Sequence, residues 1–287
     1  MTEMVATRDA YGKALVELGR VNENIVVLDA DLSKSTKTYA FGQEFPDRFI
    51  NVGIAEQNLM GVAAGLSTAG KIVFASTFAI FATGRAFEIV RNSIGYPKLN
   101  VKICATHSGI TVGEDGASHQ AIEDISCMRT IPNMTVIVPS DSVETRAVIH
   151  AVSKMDGPVY VRLGRLAVPV INDEKSYKFE MGKGVVLNKG DDATIITTGL
   201  MVGEALEAAG ELETRGIKAR VINMHTIKPI DENLIIEAAK ETGAIVTAEE
   251  HNIIGGLGSA VAEVIGENHP VPLKRIGIKD TFGESGK

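Results

Sequence analysis

Residues 106–120, THSGITVGEDGASHQ, gather two histidines (His107, His119), an acidic pair (Glu114, Asp115) and three glycines into one short stretch. Neutral imidazoles and a carboxylate converging on a pocket can bind hydroxyl groups and move protons near neutral pH. The same histidines could instead cap or bridge buried elements. A metal site is the weaker reading, because no third ligand stands at a diagnostic spacing.

Elsewhere, Glu56 in NVGIAEQN stands where a strand gives way to a helix. It is either a first-turn acid favoured by the helix dipole or a buried acid that holds a proton to donate. Phe78 and Phe81 lie three apart in a chain with 5% aromatic residues and no tryptophan. They suit a core, or a flat platform for a heteroaromatic ring. Arg8, Arg162 and Arg165 are by default ion-pair residues, and any that faces a pocket suits a phosphate. The run GGLGSAV at 255–261 lacks the third glycine of a dinucleotide fingerprint, and a tightly packed helix start explains it more simply.

These groups need strands to end beneath them and helices to back them. Val101, Ile103 and Ala105 alternate ahead of residues 106–120, while Ala121, Ile122 and Ile125 suit a buried helix face. This predicts a loop at a strand end, where open α/β sheets bind ligands. Upstream, Tyr11, Ala14, Leu15 and Leu18 predict a helix opening near Thr7, with Gly19 as its cap. Strands follow at 25–28, 49–53 and 72–75, a polar loop at 29–35, a helix at 56–66, and a further helix running through Ile89 and Val90. Beyond the central loop come strands at 135–138 and 159–163 around a helix from Ser142 to about Ser153. Periodicity lapses over 166–192, then resumes with strands at 194–197, 219–224, 244–247 and 273–276 and helices between. The expected class is α/β: two domains, each a mainly parallel sheet with helices on both faces. Residues 1–170 form the first, 171–191 a linker, and 192–287 the second.

With 287 residues, 45% of them hydrophobic, the chain can bury a sizeable core. Its net charge of −7, spread along the sequence, argues against nonspecific nucleic-acid binding. Cys104 and Cys127 share no redox or metal-ligand spacing and read as reduced thiols. MTEMVATRDA lacks the pattern of a secretory signal, and uncharged runs fall short of the ~20 residues a bilayer requires. A cytoplasmic protein without membrane or nucleic-acid partners is expected.

NVGIAEQN, STFAIFATGRA and THSGITVGEDGASHQAIED, in this order, together resemble the pyrimidine-binding domain of thiamine diphosphate enzymes, most closely of transketolases. TIKPID at 226–231, EEHNIIGGLGSAV at 249–261 and DTFGESG at 280–286 look like the C-terminal domain of the same family. The resemblance implies that Glu56 hydrogen-bonds the aminopyrimidine ring, favouring the imino tautomer whose nitrogen deprotonates the thiazolium carbon. It implies that Phe81, aided by Phe78, stacks on that ring while Asp31 and Leu32 lie near the thiazolium. His107 and His119 would bind sugar hydroxyls and the reacting oxygen, Asp115 a further hydroxyl, and Arg8, Ser35 and Arg165 the sugar phosphate. The implied reaction, in the pentose phosphate pathway, moves a two-carbon unit from a ketose phosphate to an aldose phosphate on thiamine diphosphate.

The sequence departs from the family in three places. The diphosphate-binding domain, whose GDG and downstream asparagine hold Mg2+ or another divalent cation, is absent. The resemblance therefore implies a split enzyme whose separate partner subunit supplies that half, with self-association into a heterotetramer; this chain itself holds no metal. Gly84 stands where many relatives have a tyrosine, and the sequence stops at Lys287 where relatives continue into a final helix. The alternatives are a beta-type subunit of a 2-oxo acid dehydrogenase, a deoxyxylulose phosphate synthase-like protein, or a noncatalytic regulatory scaffold. Intact Glu56, Phe81, His107, Asp115 and His119 argue against the scaffold.

Overall fold

A computed structural model describes residues 3–286. The first part runs β1 (Met4–Ala6), α1 (Thr7–Val21), β2 (Ile25–Asp29), α2 (Ser33–Thr36), α3 (Tyr39–Glu44), β3 (Phe49–Asn51), α4 (Glu56–Thr68) and β4 (Ile72–Ser76). It goes on through α5 (Phe87–Ile89), β5 (Val101–Ala105), α6 (Asp124–Thr130), β6 (Thr135–Ile137), α7 (Ser142–Val152), β7 (Val159–Arg162) and β8 (Ala167–Pro169). The second part runs β9 (Val185–Asn188), β10 (Ala193–Thr197), α8 (Met201–Glu213), β11 (Ala219–Asn223), β12 (Thr226–Lys228), α9 (Glu232–Thr242), β13 (Ile245–Asn252), α10 (Leu257–Asn268) and β14 (Leu273–Ile278).

Seven strands form the larger sheet in the order β12-β6-β7-β5-β4-β2-β3. All pairs are parallel except β12 with β6. The smaller sheet has the order β14-β13-β10-β11-β9 and is parallel except for β9. Every residue of β2, β5 and β7 is buried. Along β2, Val26 and Leu28 enter one core while Ile25 and Val27 enter the other. Covering both faces of the sheet in this way is why these strands read as continuous apolar runs rather than alternating ones.

Helix α1 lays Tyr11, Ala14, Leu15 and Leu18 against one face, beside α7. The opposite core crosses into the second part of the chain, where Ile196, Met224, Leu257 and Val261 join it. Among the described residues no helix is long and apolar enough to cross a membrane.

Several local expectations change. Gly19 does not end α1, which continues to Val21; a Cβ at Gly19 would strike the rings of Phe41 and Phe45, so close packing explains the residue. The polar loop at 29–35 contains the start of the helical turn α2. After Phe78 the expected helix is broken by two π-helical segments, Phe81–Arg85 and Val90–Gly95, flanking α5. Wide turns of this kind leave no regular 3.6-residue pattern and often mark functional sites.

Residues 171–191, expected as linker, contribute β9 to the edge of the second sheet. Four half-exposed residues are too few to register as a period. Nor did any pattern announce β12, formed by the TIK of TIKPID. It leaves the second domain to pair antiparallel with β6 of the first, placing Thr226 opposite Ile137.

Candidate active site

Because the core strands of the larger sheet are parallel, their C-terminal ends share one rim, and the loops leaving that rim carry most of the candidate residues. Asp31, Leu32 and Ser35 follow β2, Glu56 follows β3, Phe78 and Phe81 follow β4, residues 106–120 follow β5, and Arg165 follows β7. Arg8 comes from the first turn of α1.

At the centre of the rim, Phe78 lies against His107 with ring centroids 3.8 Å apart, and against Phe81 at 6.0 Å and 14° between planes. His119 meets Phe81 edge-on at 5.4 Å and Phe78 at 6.2 Å. The backbone sets this group: Ala79 N donates to Thr106 O at 2.7 Å, and Thr106 N to Thr77 O at 3.1 Å, tying the two strand ends together. His107 then adopts φ +58°, a left-handed conformation uncommon outside glycine.

His107 is 3% exposed. Burial, reinforced by the charges of Arg8 and Arg165, lowers its pKa to about 3, so the ring is neutral near pH 7. Its Nε2 lies 3.3 Å from Arg8 Nη1. A guanidinium can only donate, so Nε2 accepts and the proton sits on Nδ1, which donates to Thr106 Oγ1 at 2.9 Å. Arg8 Nη1 also donates to Ser35 O at 3.0 Å, which joins Arg8, Ser35 and His107. His119 is half-buried, and its Nδ1 pairs with Ser118 Oγ at 2.9 Å.

Arg165 Nη1 donates to Val112 O, where the loop turns through Gly113 at φ +77°. Arg8 and Arg165 line a cavity of about 490 Å3 with Ile110, Gln120 and the chain's tail at Gly283 and Glu284. The tail is held there by Gln120 Nε2 donating to Glu284 O at 3.0 Å and Ser285 Oγ to Glu114 O at 2.7 Å.

Glu56 begins α4 and is 4% exposed. Its nearest ionic partner is Arg85, Nε to Oε2 4.0 Å, and no donor of the chain hydrogen-bonds its carboxylate among the described residues. Asp31, at φ +64°, pairs with Asn51 through Asn51 Nδ2 at 3.0 Å. Asp115 is exposed on the turn Gly113–Asp115. At Gly84, in the π-helical segment that begins at Phe81, an added Cβ meets nothing within 4 Å, so the position is open.

Three functional positions escaped the sequence reading. Asp29, fully buried at the end of β2, accepts from Leu32 N (2.5 Å), Thr36 Oγ1 (2.6 Å) and Thr38 Oγ1 (2.9 Å), shaping the loop that carries Asp31, Leu32 and Ser35. Burial raises its pKa in spite of these donors. Its signal was an acid closing an apolar run with threonines seven and nine residues later. Asp124, also fully buried, takes Arg162 Nε and Tyr160 OH, each at 2.7 Å. Burial opposes its charge, but the Arg162 guanidinium holds its pKa below the ordinary range. Arg162 thus forms its ion pair within the first domain and reaches the second through a hydrogen bond, donating to Glu250 O at 3.0 Å. Glu250, the third, reaches the loop from the second domain.

The second glycine-rich stretch is filled by the protein itself. Leu257 N and Gly258 N at the start of α10 donate to the Glu249 carboxylate at 2.7 and 2.8 Å. A Cβ on Gly256 would collide with Glu249 and His251.

Could these residues hold a heteroaromatic cofactor? A buried carboxylate without a hydrogen-bond donor of its own, beside a stacked phenylalanine pair with open space at Gly84, fits an aminopyrimidine ring. Among the described residues no group of three or more His, Cys, Asp or Glu could hold a metal ion. Cys104 and Cys127 are free thiols; Cys104 is buried, which raises its pKa to about 12, and Cys127 is half-buried.

Comparison with known proteins gives concordant results. The transketolase pyrimidine-binding domain family matches residues 3–170, and the transketolase C-terminal domain family matches residues 182–287. The chain is 58% identical to a putative transketolase C-terminal section of Methanocaldococcus jannaschii, over 98% of this chain and 88% of that protein. It is 48% identical to a 6-deoxy-6-sulfo-D-fructose transketolase subunit of a Clostridium species, over 97% of this chain and 86% of the relative. A solved structure described as a split gene transketolase, inactive beta4 tetramer, superposes with a TM-score of 0.92 at 62% identity, covering 98% of this chain and 92% of that one.

Proposed function

The chain belongs to the transketolase family, and from that premise we propose that it is the pyrimidine-binding and C-terminal subunit of a split transketolase, moving a two-carbon ketol unit from a ketose phosphate to an aldose phosphate. The observation that carries this reading is half a site: an acid, an aromatic platform and two histidines on one sheet rim, without a ligand set for a diphosphate-bound cation among the described residues. A separate subunit with the diphosphate-binding domain supplies the rest, including the residues that hold Mg2+ or another divalent cation. Relatives named as a C-terminal section, a subunit and an inactive tetramer support this division. Two copies of each subunit would give a heterotetramer, acting in the cytoplasm within the pentose phosphate pathway. The domain division, 1–170 and 192–287 joined through 171–191, is part of the same proposal, with β9 of the joining segment pairing into the second sheet.

Thiamine diphosphate, when bound, supplies the electron sink for the transferred fragment. Glu56 would hydrogen-bond the pyrimidine ring nitrogen, a role open to a carboxyl 4% exposed that no donor of the chain engages among the described residues. Phe81, backed by Phe78, presents a flat face to that ring, and Asp31 and Leu32 close the pocket from the β2 loop. His107, neutral and protonated on Nδ1, accepts at Nε2, so it binds a sugar hydroxyl in place of Arg8. His119, its Nδ1 engaged by Ser118, has Nε2 left for the reacting oxygen. Arg8, Ser35 and Arg165 take the sugar phosphate at one end of the cavity, with Asp115 on a hydroxyl.

Reconstitution tests the reading. Chain plus diphosphate-binding subunit, with thiamine diphosphate and magnesium, should transfer a ketol unit between sugar phosphates without decarboxylating pyruvate, while each subunit alone stays inactive. Pyruvate decarboxylation without ketol transfer would place the chain with 2-oxo acid enzymes instead.

A further inference from the structure

Near its end β13 of the second domain meets the loop that follows β5 through Glu250. There a single carboxylate oxygen, Glu250 Oε1, accepts both Ile110 N and Thr111 N at 2.8 Å. Glu250 is 8% exposed. Its own carbonyl takes Arg162 Nη2 at 3.0 Å, and the same nitrogen donates to Ala121 O at 3.2 Å, at the far limb of the loop. Asn252 N donates to Ile122 O at 2.7 Å, while Gly109 N closes the neck onto Ala121 O at 2.8 Å. At Gly109, φ is +75° and an added Cβ would overlap the Glu250 carboxylate, so the sequence has left room for that group to approach the backbone.

The geometry points to Glu250 as a positioning residue for the reaction: through it the second domain fixes the backbone at 109–111, and with it the separation between His107 on one limb and the Arg165-bound turn and His119 on the other. This rests on reading 106–120 as the sugar-phosphate loop. Two consecutive amide N–H groups fixed by one buried acceptor oxygen leave that limb little freedom. A residue that merely glued the domains together could bind any surface of the first domain. Glu250 instead binds the peptide bonds between His107 and the turn at Gly113.

The test combines amide hydrogen exchange in the isolated chain with kinetics of the assembled complex, using Glu250→Ala, Glu250→Gln and Gly109→Ala. With Glu250→Ala, exchange in the 106–120 peptide should quicken about tenfold, the KM for the ketose phosphate should rise about tenfold with a smaller fall in kcat, and the half-saturating thiamine diphosphate should stay within about twofold. Glu250→Gln keeps an acceptor oxygen and should restore both readouts to within about threefold of the parent. Gly109→Ala pushes on the carboxylate from the loop side, changes no residue of the second domain, and should reproduce the rise in KM even if Glu250→Ala fails to fold. Unchanged exchange, or faster exchange with unchanged KM in both Glu250→Ala and Gly109→Ala, would overturn the positioning role alone. A parent complex without any ketol transfer would instead overturn the functional reading, and the positioning role with it.

Discussion

Two glycine-rich segments follow strand ends in this chain, 106–120 after β5 and 255–259 after β13, and either could pass for a ligand loop. In the second, the amide groups of Leu257 and Gly258 already hold the Glu249 carboxylate, and the glycines are spaces for Glu249, His251, Ser126, Thr247 and Arg275. In the first, the backbone is held by Glu250 and Arg162, while His119 lies half-buried against Phe78 and Phe81, Asp115 is exposed, and Arg8 and Arg165 line an open cavity. Glycine content reports close backbone approach in both. In both, what approaches is a side chain of the same protein, Glu250, Arg165 and Ser285 in the first loop; the difference lies in the cavity left open beside Arg8 and Arg165.

If the loops differ in this way, mutations should separate activity from stability. The largest effect belongs to the open loop: His107→Ala in the assembled complex should lower kcat/KM about a thousandfold, within the range for lost acid–base and hydroxyl-binding groups, with little change in melting temperature. A fall below tenfold would remove His107 from the chemistry. In the filled loop, Glu249→Ala should cost about 2–3 kcal/mol in denaturant unfolding, because two N–H groups at a buried helix start lose their acceptor. Its kinetic constants per folded complex should match the parent, and a large loss of kcat would mean that this region also serves the reaction.

The two loops should also respond oppositely to pH. His107 titrates at about 3 when folded against 6.5 when free, so the unfolded chain binds the extra proton and stability is lost as pH falls from 6.5 toward 3. For Glu249, burial raises the pKa from 4.5 to about 7, so the folded chain holds the extra proton and stability is lost as pH rises from 4.5 through 7. Each contributes at most about 1.4 kcal/mol per pH unit. Unfolding free energies between pH 4.5 and 6.5 should show His107→Asn removing an upward slope and Glu249→Gln a downward one. The smallest expected effect is a null one: a dinucleotide added to the chain should not move its melting temperature, since the 255–259 amides are taken.

Much of this was legible because strands buried on both faces leave dense apolar runs. β2, β4, β5 and β7, and the loop rim they end on, could be placed to within a residue or two. β12 and β9 could not, being three and four residues long and paired antiparallel at sheet edges. The turns after Phe81 hid because π-helical geometry breaks the helical period. Within the site, residue types and spacing picked out Glu56, Phe78, Phe81, His107 and His119. Glu250 was invisible for a different reason: its partners Ile110 and Thr111 lie 140 and 139 residues away, and nothing local distinguishes it from Glu249 beside it.

The central claim is that this chain holds half of a cofactor site, and the binding of thiamine diphosphate with magnesium tests it most directly. Titrated by calorimetry against the chain alone, the diphosphate-binding subunit alone and their complex, the cofactor should bind the complex at least about a hundredfold more tightly than either part, a gain of about 2.7 kcal/mol from joining two half-sites. Binding by the chain alone as tight as that of the complex would contradict the account.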